Sequence, residues 1–180
     1  MYDVAVIGCG IVGAAAAYEL SRYNCRVLVL EAKNDVANVT TKANSAILHA
    51  GYDPTPGTLM AETNVRGVAL AKELCEKLDV ERDEIGSLVL AFGEEDERHL
   101  EKLYQQGLAN GVPGIELLTA DEVHALEPNV SDKVTAALYA PTAAIVSPWE
   151  YALALAETAV VNGCELRLSA PVTGIDRAGE

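Results

Sequence analysis

The sequence Asp3-Val-Ala-Val-Ile-Gly8-Cys-Gly-Ile-Val-Gly13 stands near the start of the 180-residue chain. Its apolar run over residues 3–7 predicts a β-strand, and the helix-forming residues at 14–23, with an apolar stripe through Ala17 and Leu20, predict a helix after the turn. Residues 26–30 form a second predicted strand, and its unbroken apolar run Val-Leu-Val-Leu is typical of a parallel strand covered on both faces. Together these segments form a βαβ unit of about 30 residues.

The glycine-rich turn has the spacing G-x-G-x-x-G, with glycines at Gly8, Gly10 and Gly13. Without side chains the backbone turns tightly and approaches a pyrophosphate closely, and the N-terminus of the following helix attracts its charge. Glu31 ends the second strand and is placed to accept both hydroxyls of an adenosine ribose. Because its carboxylate repels a 2′-phosphate, the sequence disfavours NADP. A glycine-rich turn with no nucleotide is the structural alternative.

The rest of the chain mixes helices and strands around one long polar segment, residues 32–56, which is rich in Asn, Thr, Gly and Pro. Amphipathic spacing and capping signals predict helices at 58–78, 94–110, 147–162 and, shorter, from Thr119 to just before Pro128. Apolar runs predict strands at 87–92, 134–139, 165–168 and 172–175. The sequence therefore predicts an α/β fold with a parallel sheet.

Composition narrows the function classes further. The formal net charge is −14, which opposes binding to nucleic acid or to an anionic membrane surface. The sequence predicts no transmembrane segment, no secretory signal and a cytoplasmic location, with peripheral membrane attachment open through a partner. The four cysteines have no ligand spacing, so we expect no metal site and no disulfide framework.

The opening of the chain resembles the FAD-binding fingerprint of the D-amino-acid-oxidase-like (DAO) flavoprotein superfamily, with Ala17, Leu20, Val27 and Glu31 in its usual pattern. A second motif, Asn44-Ser-Ala-Ile-Leu-His-Ala-Gly51, is similar to the N-S-x-x-x-H-A-G signature of one branch. That branch contains the anaerobic-type glycerol-3-phosphate dehydrogenase large subunit and the L-2-hydroxyglutarate oxidases.

The resemblance implies FAD as cofactor, bound in a Rossmann-like βαβ unit with part of an α+β substrate domain. It implies FAD-binding domain limits of 1–80 and 145–180, with an inserted substrate-side segment at 81–144. Because members of the family are longer, the resemblance also implies a truncated chain. His49 is the candidate catalytic base; a packing role for this histidine stays open. The expected cofactor-binding residues are Gly8, Gly10, Ile11, Val12, Gly13, Glu31, Ala32, Thr40, Thr41, Asn44, Ser45 and Val172.

The resemblance further implies an FAD-dependent dehydrogenase or oxidase that oxidises glycerol 3-phosphate to dihydroxyacetone phosphate by hydride transfer to flavin N5. Oxidation of L-2-hydroxyglutarate, or of a related 2-hydroxy acid or amino acid, is the alternative substrate class. A truncated, non-catalytic FAD-binding module is a second alternative, and a small NAD-dependent dehydrogenase is the least favoured. The electron acceptor stays open between oxygen, a quinone and a partner subunit.

Overall fold

The computed structural model describes residues 1–177, which contain five α-helices and nine β-strands. In chain order these elements are β1 (Val4–Ile7), α1 (Ile11–Leu20), β2 (Val27–Leu30), β3 (Ile47–Leu48), α2 (Leu59–Leu78), β4 (Arg82–Asp83), β5 (Ser87–Ala91), α3 (Glu94–Asn110), β6 (Glu116–Thr119), α4 (Ala120–Leu126), β7 (Ala136–Ala140), β8 (Ala144–Val146), α5 (Pro148–Val161) and β9 (Glu165–Arg167).

The chain divides into two units by its internal contacts. The first unit contains Met1–Ala46, Lys77–Val80 and the chain from Ser147 onward, and the second contains Ile47–Glu76 and Glu81–Val146. The predicted FAD-binding domain includes residues 47–76, whereas the contacts of these residues lie in the second unit. The boundaries of a cofactor-binding domain stay a prediction.

The first unit is built on a parallel three-stranded sheet in the order β1-β2-β9. The central strand β2 is the unbroken apolar run Val-Leu-Val-Leu, and three of its four side chains are buried. Helices α1 and α5 pack against each other through small side chains. Ala14 and Ala17 on α1 and Ala152 and Ala156 on α5 are all buried, so the two helix backbones approach closely. The predicted α/β fold with a parallel sheet is confirmed.

The second unit contains an antiparallel sheet in the order β5-β7-β6 and a small antiparallel sheet in the order β3-β8-β4. Helix α3 packs on one face of the larger sheet through Leu100 and Leu103, against Leu138 of β7. The neighbouring Ala137 points to the opposite face, where it meets Val123 of α4. This unit therefore has an α+β architecture.

The capping signals predicted from sequence are confirmed at α4, at α5 and at the end of α3. Thr119 and Glu122 form a reciprocal capping box at α4, and Ser147 accepts a hydrogen bond from the N–H of Glu150 at α5. Helix α3 ends at Gly111, which adopts a left-handed conformation with φ of 77°.

Four strands were missed and one predicted strand was wrong. Strands β3, β4, β6 and β8 are only two to four residues long, too short to carry a clear alternating pattern. The predicted strand at 172–175 does not form, because residues 171–177 pair with no strand in the described part of the chain. Helix α1 also begins at Ile11, earlier than the predicted residue 14, since the last half of the glycine motif is already helical.

No helix within residues 1–177 is both long and apolar enough to cross a bilayer.

Candidate cofactor-binding site

The glycine-rich turn joins β1 to α1 in the first unit. Gly8 has φ of +92°, a conformation that favours glycine, and its N–H donates to the carbonyl of Leu30 at 2.8 Å. A Cβ atom added at Gly13 would lie 1.9 Å from the carbonyl oxygen of Gly8. Helix α1 can therefore approach the end of β1 only because position 13 has no side chain.

The turn presents unpaired hydrogen-bond donors. Within the described residues, the N–H groups of Gly10, Val12 and Gly13 have no acceptor. They lie at the N-terminus of α1, where the helix dipole adds a partial positive charge. A cleft of about 480 Å³ opens beside them, lined by Val6, Ile7, Gly8, Gly10, Ile11, Val12, Gly13, Ala16, Thr40 and Thr41. Open N–H groups at a helix N-terminus are suited to an anionic group such as a phosphate.

Thr41 caps α1 from a distance of 30 residues in sequence. Its Oγ1 accepts a hydrogen bond from the N–H of Ile11 at 3.0 Å. Gly10 occupies the N-cap position and has no side chain to make such a bond. A Cβ atom at Gly10 would lie 3.0 Å from the same Thr41 oxygen, so the two residues are tightly fitted. The sequence placed Thr41 at the cofactor but did not predict this cap.

The predicted site residue Asn44 holds the turn that carries Thr40 and Thr41. Its Nδ2 donates to the carbonyl of Thr41 at 2.6 Å, and its Oδ1 accepts from the N–H of Ala46 at 2.8 Å. Thr40, Asn44 and the adjacent Ser45 are all exposed. Asn44 therefore fixes the local backbone, a role for which asparagine is well suited.

Glu31 is connected directly to the glycine turn. The residue as a whole is only 8% exposed; Oε2 accepts from the N–H of Cys9 at 2.7 Å and Oε1 from the N–H of Lys33 at 2.8 Å. A carboxylate has about four lone-pair positions, so acceptor capacity remains on both oxygens. The sequence predicts Glu31 as a cofactor-binding residue but does not predict its hydrogen bond to the turn.

The buried thiol of Cys9 is expected to be unreactive. Burial raises the pKa of the Cys9 thiol to about 11, with a smaller contribution from the negative charge of Glu31. The thiolate is the reactive form of cysteine, and it is therefore scarce at neutral pH. Cys9 packs the turn and offers no nucleophile.

Two further predicted residues follow strands of the same sheet. Ala32 is exposed two residues after the end of β2, and Val172 lies beyond β9 with 38% of its surface exposed. The chain before Val172 is hydrogen-bonded to the segment after β2: Ser169 N–H donates to Lys33 O at 2.7 Å, and Ala170 N–H donates to Glu31 O at 2.8 Å. Val172 is thus two residues from a segment that is anchored at Glu31.

The candidate base His49 belongs to the second unit, directly after β3. Its side chain is exposed, and its carbonyl accepts a hydrogen bond from Asn64 Nδ2 at 2.5 Å. Residues 1–177 contain no cluster of His, Cys, Asp or Glu suited to a metal ion.

Comparison with known proteins finds relatives that are named as dehydrogenases and oxidases. Glycerol 3-phosphate dehydrogenase of Caloramator mitchellensis is 50% identical over 177 residues, covering 98% of this chain and 37% of that protein. The human mitochondrial L-2-hydroxyglutarate dehydrogenase is 32% identical, over 99% of this chain and 39% of that protein. Among solved structures, dithionite-reduced L-alpha-glycerophosphate oxidase of Mycoplasma pneumoniae with FAD bound has a TM-score of 0.88 and 33% identity, over 96% of this chain and 46% of that one.

The chain therefore spans less than half the length of these relatives. The family described as FAD dependent oxidoreductase (DAO) matches residues 3–180, nearly the whole sequence. Since the match includes the glycine turn, Glu31 and the N-S-x-x-x-H-A-G segment, the chain belongs to the DAO family of FAD-dependent oxidoreductases.

Proposed function

We propose that the first unit binds FAD and places its pyrophosphate at the N-terminus of α1. The observation that carries this proposal is the set of three unpaired N–H groups at Gly10, Val12 and Gly13 beside an open cleft. Phosphate oxygens accept from such groups and are stabilised by the helix dipole. The cradle fits this group closely, because a Cβ at Gly10 or Gly13 would fill it or displace its backbone.

The remaining contacts follow from the positions around the turn. Glu31 uses its free lone pairs for the ribose hydroxyls, and Val172 uses its backbone N–H and C=O for adenine. Ile11, Ala32, Thr40, Thr41, Asn44 and Ser45 complete the proposed binding set. Thr41 and the exposed Thr40 and Ser45 contribute hydroxyl donors on the pyrophosphate side, and Asn44 acts chiefly by holding their backbone in place.

The proposed reaction is the oxidation of glycerol 3-phosphate to dihydroxyacetone phosphate. Bound FAD would supply the hydride acceptor for the carbinol carbon of the substrate. His49 is the proposed base, accepting the hydroxyl proton on an imidazole nitrogen. The support for this substrate is the 50% identity to glycerol 3-phosphate dehydrogenase of Caloramator mitchellensis.

A second candidate substrate is L-2-hydroxyglutarate, supported by the 32% identity to the human mitochondrial L-2-hydroxyglutarate dehydrogenase. Both substrates are anionic alcohols and need basic side chains, while the chain has 13 Lys and Arg against 27 Asp and Glu. An electron-accepting partner subunit or quinone, the cytoplasmic location and a peripheral attachment to membranes remain predictions.

Binding is tested with the purified 180-residue chain, mixed with FAD, desalted and measured by flavin absorption. We expect flavin to remain with the wild-type protein and to be lost in Gly10→Val, whose side chain would collide with Thr41 and block the phosphate. Gly67→Val is the matched control, because nothing lies within 4 Å of a Cβ at that exposed helix position. Retention of flavin by Gly10→Val at the wild-type level would refute the pyrophosphate site.

Catalysis is tested on the flavin-loaded chain under anaerobic conditions. Loss of the oxidised flavin band on adding glycerol 3-phosphate supports the first substrate, and loss with L-2-hydroxyglutarate alone supports the second. If flavin is retained but neither compound reduces it, the chain is a non-catalytic FAD-binding module. His49→Ala should abolish reduction while leaving flavin retention intact.

A further inference from the structure

The main chain from His49 to Pro54 is held by side-chain amides of the second unit. Asn64 on α2 donates to the carbonyl of His49 at 2.5 Å. Asn110, the last residue of α3, donates from one Nδ2 to both Gly51 O at 2.9 Å and Pro54 O at 2.8 Å. This loop directly follows β3 and contains the H-A-G part of the sequence motif.

A third amide completes the set. Gln106 lies one helical turn before the end of α3, and its Nε2 donates to the carbonyls of Tyr52 at 3.4 Å and Asp53 at 3.3 Å. Five of the six carbonyls from 49 to 54 thus accept from Asn64, Gln106 or Asn110, which we call the amide clamp. Within residues 1–177, no backbone N–H donates to any of these five carbonyls.

The loop is also closely packed and requires glycine at position 51. Gly51 has φ of +105°, and a Cβ there would lie 2.7 Å from Val65 Cγ2. Oδ1 of Asn110 is buried without a hydrogen-bond partner among the described residues. An unpaired buried oxygen is costly, so Asn110 is placed for its two donated bonds at the expense of its own acceptor.

We propose that the amide clamp is the positioning device for His49. The three clamp residues act through N–H donors alone on five carbonyls of the loop, so the loop keeps one backbone path without a strand or helix of its own. The peptide that carries the imidazole is thereby held at its own carbonyl by Asn64 and on its C-terminal side by Asn110 and Gln106. The catalytic meaning of this device rests on the proposed function of His49, whereas the clamp is testable without cofactor or substrate.

The experiment compares two clamp variants with matched controls in the 180-residue chain, labelled with ¹⁵N and ¹³C for NMR. Asn110→Asp replaces the donating NH₂ by a carboxylate oxygen that faces two carbonyls, and Gln106→Leu removes one donor group. The controls are Asn129→Asp, whose amide is exposed and bonds Glu127, and Gln105→Leu on the exposed side of α3. Gln106→Leu keeps the test decisive if the charged variant fails to fold.

We expect the backbone order parameters of residues 49–54 to fall from about 0.85 to below about 0.6 in both clamp variants, with a shift of the His49 imidazole resonances. The controls should keep wild-type values throughout, and residues in α3 should stay rigid in every variant. A loss of stability alone would leave the loop rigid in the folded state, so this readout separates positioning from general support. Unchanged order parameters in the clamp variants would overturn the proposal.

Flavin reduction by glycerol 3-phosphate provides the link to function. If the clamp variants loosen the loop and slow reduction at full flavin retention, positioning of His49 is supported. If the loop loosens while His49→Ala reduces flavin at the wild-type rate, the clamp stands as a loop anchor, but both its role in positioning a base and the proposed role of His49 are overturned. Failure of the wild-type chain to bind FAD would count against the proposed function and leave the NMR result to decide the clamp.

Discussion

Replacing Glu31 by glutamine tests whether this acid builds the glycine turn as well as contacting the ribose. The carboxylate now accepts from two backbone N–H groups, those of Cys9 and Lys33, on different oxygens. A glutamine amide has one oxygen and one NH₂ group. One N–H therefore keeps a neutral acceptor, while the other faces a donor and is left unpaired.

The expected cost follows from burial. Glu31 is 8% exposed and Cys9 is 1% exposed, so solvent cannot easily replace the lost bond. A hydrogen bond to a charged group contributes about 1.5–3 kcal/mol, and a buried unpaired donor costs about 1–3 kcal/mol. Since the surviving bond also loses its charge, we expect Glu31→Gln to lower the free energy of unfolding by about 3 kcal/mol.

The assay is urea denaturation of the apo chain followed by tryptophan fluorescence. Trp149 is the single tryptophan and lies in α5, so it reports on the unit that contains the turn. Glu157→Gln is the control: the same substitution on an exposed face of α5. A difference of less than about 0.5 kcal/mol between the two variants would show that Glu31 does not support the turn.

The remaining predictions concern neighbouring positions. Gly13→Ala should lower the free energy of unfolding by about 3 kcal/mol in the same assay, since its Cβ would meet Gly8 O at 1.9 Å; wild-type stability would contradict this packing. Thr41→Val should cost about 1 kcal/mol by removing the acceptor of the Ile11 N–H, and Thr41→Ser should restore it; equal stability of Val and Ser variants would exclude the cap. Because its pKa is raised to about 11, the Cys9 thiol stays protonated at pH 8 and gains thiolate only as the pH rises toward that value, so iodoacetamide mapping by mass spectrometry should show no Cys9 modification at pH 8 in the folded chain.

The sequence was sufficient for the βαβ unit because its signals are local. An apolar run, a glycine motif and a second apolar run constrain one another within 31 residues, and the predicted parallel pairing of β1 with β2 is confirmed. The caps at Thr119 and Ser147 were likewise local, since each involves residues three apart.

The sequence did not predict the long-range hydrogen bonds made by the polar segment after β2. Thr41 reaches Ile11 across 30 residues, and the clamp at Asn110 reaches Gly51 across 59. Neither hydrogen bond produces a repeating pattern in the sequence, because each joins a single side chain to a single backbone group that is distant along the chain. The wrong strand at 172–175 has the opposite cause: apolar β-branched residues there satisfied the local pattern, but a strand also needs a neighbour to bond.

The bonds around the glycine turn also determine how its variants should differ in cofactor affinity. The N–H of Gly8 is bonded to Leu30, that of Cys9 to Glu31 and that of Ile11 to Thr41, while the N–H groups of Gly10, Val12 and Gly13 stay open. The turn is thus ordered before a phosphate binds, and ordering it costs little free energy on binding.

Variants that remove a bonded partner, such as Thr41→Val, should lower stability and FAD affinity together, because the loosened turn must be ordered again on binding. Gly10→Val instead blocks the open positions, so we expect it to remove FAD binding with a smaller loss of stability than Gly13→Ala. If FAD affinity fell in proportion to the free energy of unfolding in all these variants, including Gly10→Val, the open N–H groups would have no separate role in binding.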